Sequence, residues 1–176
     1  FLEHAVHRAL ERRKLADERQ QAHQQLEKMN EVISMLNRGM DTDEIFRMLY
    51  VSLKSVLPFN RLTLVSADDE SCSLTVRMAS SDRKMLLPTG ESISLDEDMF
   101  EAVINRTDIH IIDDIPEFLQ LHPLPAVVDQ ILEEGFVSAI IMPIIFDGKT
   151  WGQLLFASDR KMVYRNEHAS FLRLIA

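Results

Sequence analysis

The stretch that decides the fold is Gly135-Phe-Val-Ser-Ala-Ile-Ile-Met-Pro-Ile-Ile-Phe-Asp-Gly-Lys-Thr-Trp-Gly-Gln-Leu-Leu-Phe-Ala-Ser158. Two apolar runs, Val137–Phe146 and Thr150–Ser158, flank Asp147-Gly148. Asp-Gly at a two-residue connection suits a turn that needs positive φ at both positions, which makes the stretch a β-hairpin. Ile140, Ile141, Met142, Ile144, Ile145 and Phe146 run almost without a polar break. A strand of that composition is expected to be central in its sheet and covered on both faces.

Working upstream, Pro125 and Gly135 bracket a helix with Val128, Ile131 and Leu132 on its inner side, by the usual placement of proline just inside a helix start and glycine just past its end. Pro116, Pro123 and Pro125 mark the preceding stretch as a loop, and Ile109–Ile112 reads as a short strand running into Asp113-Asp114. Asp96 opens a short helix carrying Met99, Phe100, Val103 and Ile104. Further back, Leu62, Leu64, Leu74, Val76 and Met78 alternate with polar residues about Ala67-Asp68-Asp69-Glu70, which predicts a hairpin with one buried face. Before that hairpin, Asp41 and Glu44 form a capping box, with Met40 and Ile45 as a hydrophobic staple. They open a helix that Pro58 stops. Downstream of the decisive hairpin, a helix from Asn166 turns Ala169, Leu172 and Ile175 inward. The order of elements predicts an α+β domain, a central antiparallel sheet of five or six strands with helices on both faces.

Residues 1–40 read differently. Ala22, Leu26, Met29, Ile33, Leu36 and Met40 alternate steps of four and three, a heptad seam with positions 22, 29 and 36 as d and 26, 33 and 40 as a. Leu2, Val6, Ala9 and Ala16 follow the same rhythm one residue out of phase, across the polar stretch Glu11–His23. A long helix with such a seam predicts a parallel coiled coil and a homodimer through those six residues. The predicted division is therefore 1–40 coiled coil, 41–176 globular domain. Starting at Phe1 and ending inside a helical pattern, the chain is expected to be part of something longer.

The chain has 176 residues, 46% of them hydrophobic and 27% charged, with a net charge of −9. Residues 1–40 are nearly neutral, so the globular part carries the negative charge, which argues against nucleic acid as a partner. No run is long and apolar enough for a membrane span, so no membrane partner is expected. Cys72 is the only cysteine, which removes disulfides and thiol zinc sites together and suggests a reducing cytoplasm.

The stretch from Gly135 to Ser158 resembles the closing hairpin of GAF domains: Pro143, Gly148, Gly152, Leu154 and Ser158 fall where that family has its proline, turn glycine, Gly-x-Leu and small polar end. Val103-Ile-Asn-Arg-Thr-Asp-Ile-His-Ile-Ile-Asp-Asp114 resembles the family's helix end, turn and strand, although Thr107-Asp108 lacks the usual turn glycine. The resemblance covers 41–176. It implies a sensor domain of a bacterial signalling protein with a pocket over one sheet face, taking a small ligand or serving only in dimerisation. A PAS-like sensor is the rival fold; the terminal helix-hairpin-helix order and the Pro143/Gly152 pattern favour GAF. Residues 1–13 are similar to the last helix of a response-regulator receiver domain, which implies a two-component context and an end of such a domain within 1–15.

On that resemblance the expected pocket lies between the sheet and helix 126–134, bordered by Leu86–Leu95 and Ile109–Ile112. Its candidate ligand-binding residues are Met78, Phe100, His110, Ile112, Val128, Ile131 and Met142. His110 is the one residue there that could ligate iron or hydrogen-bond a ligand. Cys72 stands beside an acidic turn without the histidine usual at bilin-attachment sites, and one cysteine cannot support methionine-sulfoxide reduction through an intramolecular disulfide. Haem and bilin are therefore not supported, and no cofactor is required. Asp68-Asp69-Glu70, Asp96-Glu97-Asp98 and Asp113-Asp114 sit at turns and helix starts, where capping explains them. His4 and His7 lack a third ligand, so no metal is expected. Phosphate-cradling loops, nucleophile elbows and the asparagine-lysine-phenylalanine-aspartate pattern of cyclic-nucleotide binders are missing. No catalytic residue, and no enzymatic activity, is expected; a small-molecule-modifying enzyme on the same scaffold is the second alternative, after a ligand-free dimerisation module.

Overall fold

The computed structural model describes residues 42–121, 130 and 132–174. The heptad seam from Ala22 to Met40, the cap at Asp41 and the expected pocket residues Val128 and Ile131 lie outside them. The described elements are α1 (Thr42–Leu53), β1 (Arg61–Asp68), β2 (Ser73–Ser81), β3 (Ser92–Ser94), α2 (Glu97–Ile104), β4 (His110–Ile112), α3 (Ile115–Leu121), β5 (Ser138–Phe146), β6 (Lys149–Ser158) and α4 (Asn166–Arg173). The chain divides between Leu49 and Tyr50, and the whole sheet belongs to the unit from Tyr50 onward.

Six strands form one antiparallel sheet in the order β3-β2-β1-β6-β5-β4. Asp147 and Gly148 have φ of 51° and 75°, the left-handed pair that a tight two-residue hairpin needs, and they join β5 to β6 with Phe146 opposite Lys149. The centre of the sheet is β1 and β6. The all-apolar run of β5 instead sits next to the edge, because β4 pairs only with Ala139, Ile140 and Ile141. Beyond them β5 has β6 on one side alone, and Ile145 is 48% exposed.

β1 also departs from the single buried face read from its alternation. Arg61, Leu62, Thr63, Val65 and Ser66 are all buried, because both faces of this central strand are covered. Opposite it, Arg77 is the extra residue of a bulge: Leu64 pairs with Met78 and Val65 with Val76. Paired residues point to the same side and successive ones to opposite sides. The bulge therefore puts Met78 on the face of Leu62 and Leu64, and Val76 on the face of Val65.

The two faces are chemically different. The face of Leu62 also carries Ile140 and Phe156, all fully buried. Phe156 meets Phe59 edge-on at 5.2 Å, and Phe59 meets Tyr50 at 5.3 Å. Tyr164 donates to the Phe156 carbonyl at 3.0 Å, and burial pushes its hydroxyl pKa up. The opposite face carries Ala139 and Ala157, whose small side chains leave room for Phe136, Ile112 and Ile115. Ile115–Leu121 is helical where its proline suggested a loop. Asp114 caps it, accepting from the Glu117 and Phe118 amides at 3.3 and 2.9 Å, and Pro116 stands in the first turn, where a missing N–H leaves nothing unpaired.

Gly152 holds the middle of the sheet together by having no side chain. A Cβ there would lie 2.1 Å from the Val65 carbonyl oxygen and 3.0 Å from the Ser66 Cα. Both are backbone atoms of the adjacent central strand. Gly152→Ala is therefore expected to cost about 2–4 kcal/mol in urea unfolding; a change under roughly 0.5 kcal/mol, the size of a neutral surface substitution, would contradict this packing.

Candidate functional site

On the Ala139/Ala157 face, α2 lies across β4, β5 and β6 and encloses a cavity of about 320 Å³. α2 is placed at both ends. The Asp96 carboxylate accepts from the Met99 amide at 2.8 Å, an N-cap that also sets a negative charge against the positive end of the helix dipole. At the other end Gln153, on β6, donates its side-chain N–H to the Val103 carbonyl at 3.0 Å. That carbonyl is in the last turn of α2, where intrahelical partners run out.

The cavity walls are apolar. Ile112, Ile141 and Pro143 form the sheet side, Met99, Ala102 and Val103 the helix side, and Phe118 of α3 one end. Four polar residues are also in the lining: Arg106, Asp108, His110 and Gln153. The His110 ring lies 5.9 Å from that of Phe118. Arg106 donates Nε–H to the Ala102 carbonyl at 3.3 Å, which pins its guanidinium at the C-terminal end of α2.

The sequence-predicted residues are divided by the sheet. His110 and Ile112 line the cavity. Met78 and Met142 are on the other side, because Met142 pairs with Leu154 and Leu154 with Leu64, in the same row as Met78. Met142 instead borders a second cavity at the free half of β5, with Ile144, Ile145 and Arg173. Phe100 is 3% exposed in α2 and lines neither cavity. The pocket expected between the sheet and helix 126–134, with Leu86–Leu95 as its border, rests on a helix that lies mostly outside the described residues. Arg106, Asp108 and Gln153 escaped the sequence reading. The signal for Gln153 was one polar residue at an inward position of an otherwise apolar strand; Arg106 and Asp108 looked like ordinary turn residues.

A second missed feature fixes the segment that leads into Gly135. Arg61 and Glu134 form an ion pair with side chains 5% and 0% exposed. Arg61 also donates to Thr63 Oγ1 at 2.9 Å and to the Leu87 carbonyl at 2.7 Å. Glu134 accepts from the Leu86 and Leu87 amides at 2.6 and 3.2 Å. The pair thus ties β1, the 86–87 loop and the approach to β5 into one hydrogen-bonded network, in which each charge has partners besides the other, the condition under which buried charges are tolerated.

Among the described residues, no group of three or more His, Cys, Asp and Glu side chains could hold a metal, and no helix is long and apolar enough to cross a membrane. Residues 41–176 match the GAF domain family. The fold is similar to the phycoerythrobilin-bound GAF domain of a cyanobacterial phytochrome, with a TM-score of 0.67 and 13% identity over 88% of this chain and 91% of that one. It is similar also to a GAF domain of an Acinetobacter phosphoenolpyruvate-protein phosphotransferase, at 0.66 and 15% over 86% and 87%. The GAF domain of a Bacillus halodurans two-component sensor histidine kinase gives 0.63 and 14% over 78% and 89%. No curated protein matches the chain. Cys72 is on the β1–β2 turn and not in the cavity lining, so it does not serve as a bilin attachment point there.

The ion pair makes a direct test of the network. Arg61→Met in the native background leaves Glu134 buried without its counter-charge and is expected to cost roughly 3–5 kcal/mol. With Glu134→Gln already in place, the same change is expected to cost less than half as much in urea unfolding. Equal costs in the two backgrounds would mean that the charge pairing contributes nothing.

Proposed function

The chain belongs to the GAF domain family, regulatory sensor domains of signalling proteins, and on that footing we propose that its cavity takes one small ligand whose binding is relayed to a paired N-terminal helix. The single observation that carries this reading is the lining itself, an apolar pocket between α2 and the sheet with Arg106, Asp108, His110 and Gln153 among its lining residues. Ligand sites combine apolar walls with a few placed polar groups in this way. A domain serving only in dimerisation would need no such set, and would be better served by filling the space.

The relay is a population shift. Ligand, or phosphorylation of an upstream receiver-like segment within 1–15, biases the packing or register of the coiled coil formed by Ala22, Leu26, Met29, Ile33, Leu36 and Met40. The one-residue phase offset in residues 1–40 supplies the bistable element. The protein then works as a cytoplasmic homodimer of a bacterial two-component or related pathway, with no chemistry of its own. The similarity in fold to a sensor histidine kinase domain supports this setting.

Light scattering on the full chain and on residues 41–176 tests the relay. The full chain is expected to have twice its formula mass and the shorter chain its formula mass. A monomer in both cases, or a dimer that survives loss of residues 1–40, would end the coiled-coil relay.

A further inference from the structure

We propose that the cavity takes a compact neutral molecule, an apolar body carrying one hydroxyl or N–H group that bonds to the side-chain amide of Gln153, an inference that rests on the sensor reading above. Its basis is where that amide stands. Gln153 is 6% exposed and shares a sheet face with Ala157, four residues on along β6. Its side chain crosses from β6 to α2, where Nε2 donates to the Val103 carbonyl at 3.0 Å. The cavity occupies that same gap between sheet and helix, and Val103 and Gln153 both line it.

The bond also fixes which way the amide faces. A backbone carbonyl only accepts, so the nitrogen of Gln153 and not its oxygen is turned to the helix. One of the two N–H groups is used there. The other, and the Oε1 acceptor, bond to no described residue. A buried amide with half its capacity unused is costly, and a ligand group placed against it removes that cost. A hydroxyl answers both the oxygen and the second N–H; a ligand N–H answers the oxygen.

The rest of the wall restricts what else the ligand carries. Met99 and Val103 on the helix side, and Ile112, Phe118 and Ile141 opposite, offer hydrocarbon and thioether alone. Asp108 is exposed to water. Arg61 and Glu134, the buried ion pair, are spent on each other and are not in the lining. An ionised ligand group would therefore leave water for apolar walls with no buried counter-charge among the described residues, which disfavours it strongly. About 320 Å³ is at the low end of ligand pockets, which suits one ring or one short branched chain.

The test is calorimetric titration of the full chain with toluene, benzyl alcohol, benzoate and benzylammonium, and with an isopentyl set of the same four kinds. In at least one set the alcohol is expected to bind as tightly as the hydrocarbon or more so, although its hydroxyl is the better hydrated. Both ions are expected to bind about a hundredfold more weakly than the alcohol. In NMR spectra the Met99 methyl signal is expected to shift during the titration and that of Met78 to stay, which places the molecule in this cavity. Gln153→Met keeps the bulk of the side chain and removes the amide. It is expected to weaken the alcohol about tenfold and the hydrocarbon far less, a split that neither loss of folding nor loss of the tie to Val103 would produce. An alcohol that loses no more than the hydrocarbon in Gln153→Met would overturn the inference. So would an ion that binds in preference to the alcohol, which would leave the sensor reading standing. Failure of every compound to bind would remove both.

Discussion

The ion pair between Arg61 and Glu134 is the constraint on which this domain's cavity face is built. Two charges almost fully withdrawn from water are destabilising unless further hydrogen bonds surround the pair. Here the carboxylate takes an arginine and two backbone amides, and the guanidinium takes a carboxylate, a hydroxyl and a carbonyl. Three segments distant in sequence meet at that point: the start of β1, the 86–87 loop and the last residue before Gly135. From there Gly135, at φ 84°, turns the chain into Phe136, and Phe136 fills the space that Ala139 and Ala157 leave on the sheet. The chain then enters β5, whose register on β6 fixes which side chains face α2.

Register decides function in this fold as much as composition does. A one-residue shift of any strand would exchange the two faces, and two bulges show how closely that is managed. At Arg77 the bulge separates Met78 from Val76. At Trp151 a second one lets β6 bring Gly152 against Val65 with no side chain between them. The outcome is a sheet with an aromatic, hydrogen-bonded face around Phe156 and a face with a cavity, and the polar residues of the second converge because Gln153 and His110 fall in rows that point the same way.

Much of this was legible in the sequence, for reasons that are local. Asp147-Gly148 announced its hairpin because few residues accept positive φ at two successive positions. Asp96 announced α2 because a cap is read from one residue and its neighbours. The central position assigned to β5 was an error of inference: an apolar run reports burial, and β5 obtains its burial from the covering of both faces although β4 spans only part of its length. Met78 and Met142 fall on the sheet face opposite the α2 cavity, a placement that strand alternation alone does not settle because it cannot register a bulge. Glu134 was hidden because a glutamate before a helix-ending glycine is common on surfaces, and only its partner 73 residues away shows that it is buried. Arg106 and Asp108 were hidden in the same manner by their turn.

The central claim is that the functional cavity lies on the α2 side of the sheet, with Met78 behind it. Xenon enters apolar cavities without needing polar complementarity, so methyl-resolved NMR of the chain under xenon pressure tests the claim without a known ligand. The methyl signals of Met99, Ile112 and Ile141 are predicted to shift progressively with pressure, and those of Met78 and Leu64 to stay in place. Shifts confined to Met78 and Leu64, with Met99 and Ile141 unmoved, would put the accessible cavity on the wrong face and contradict the account.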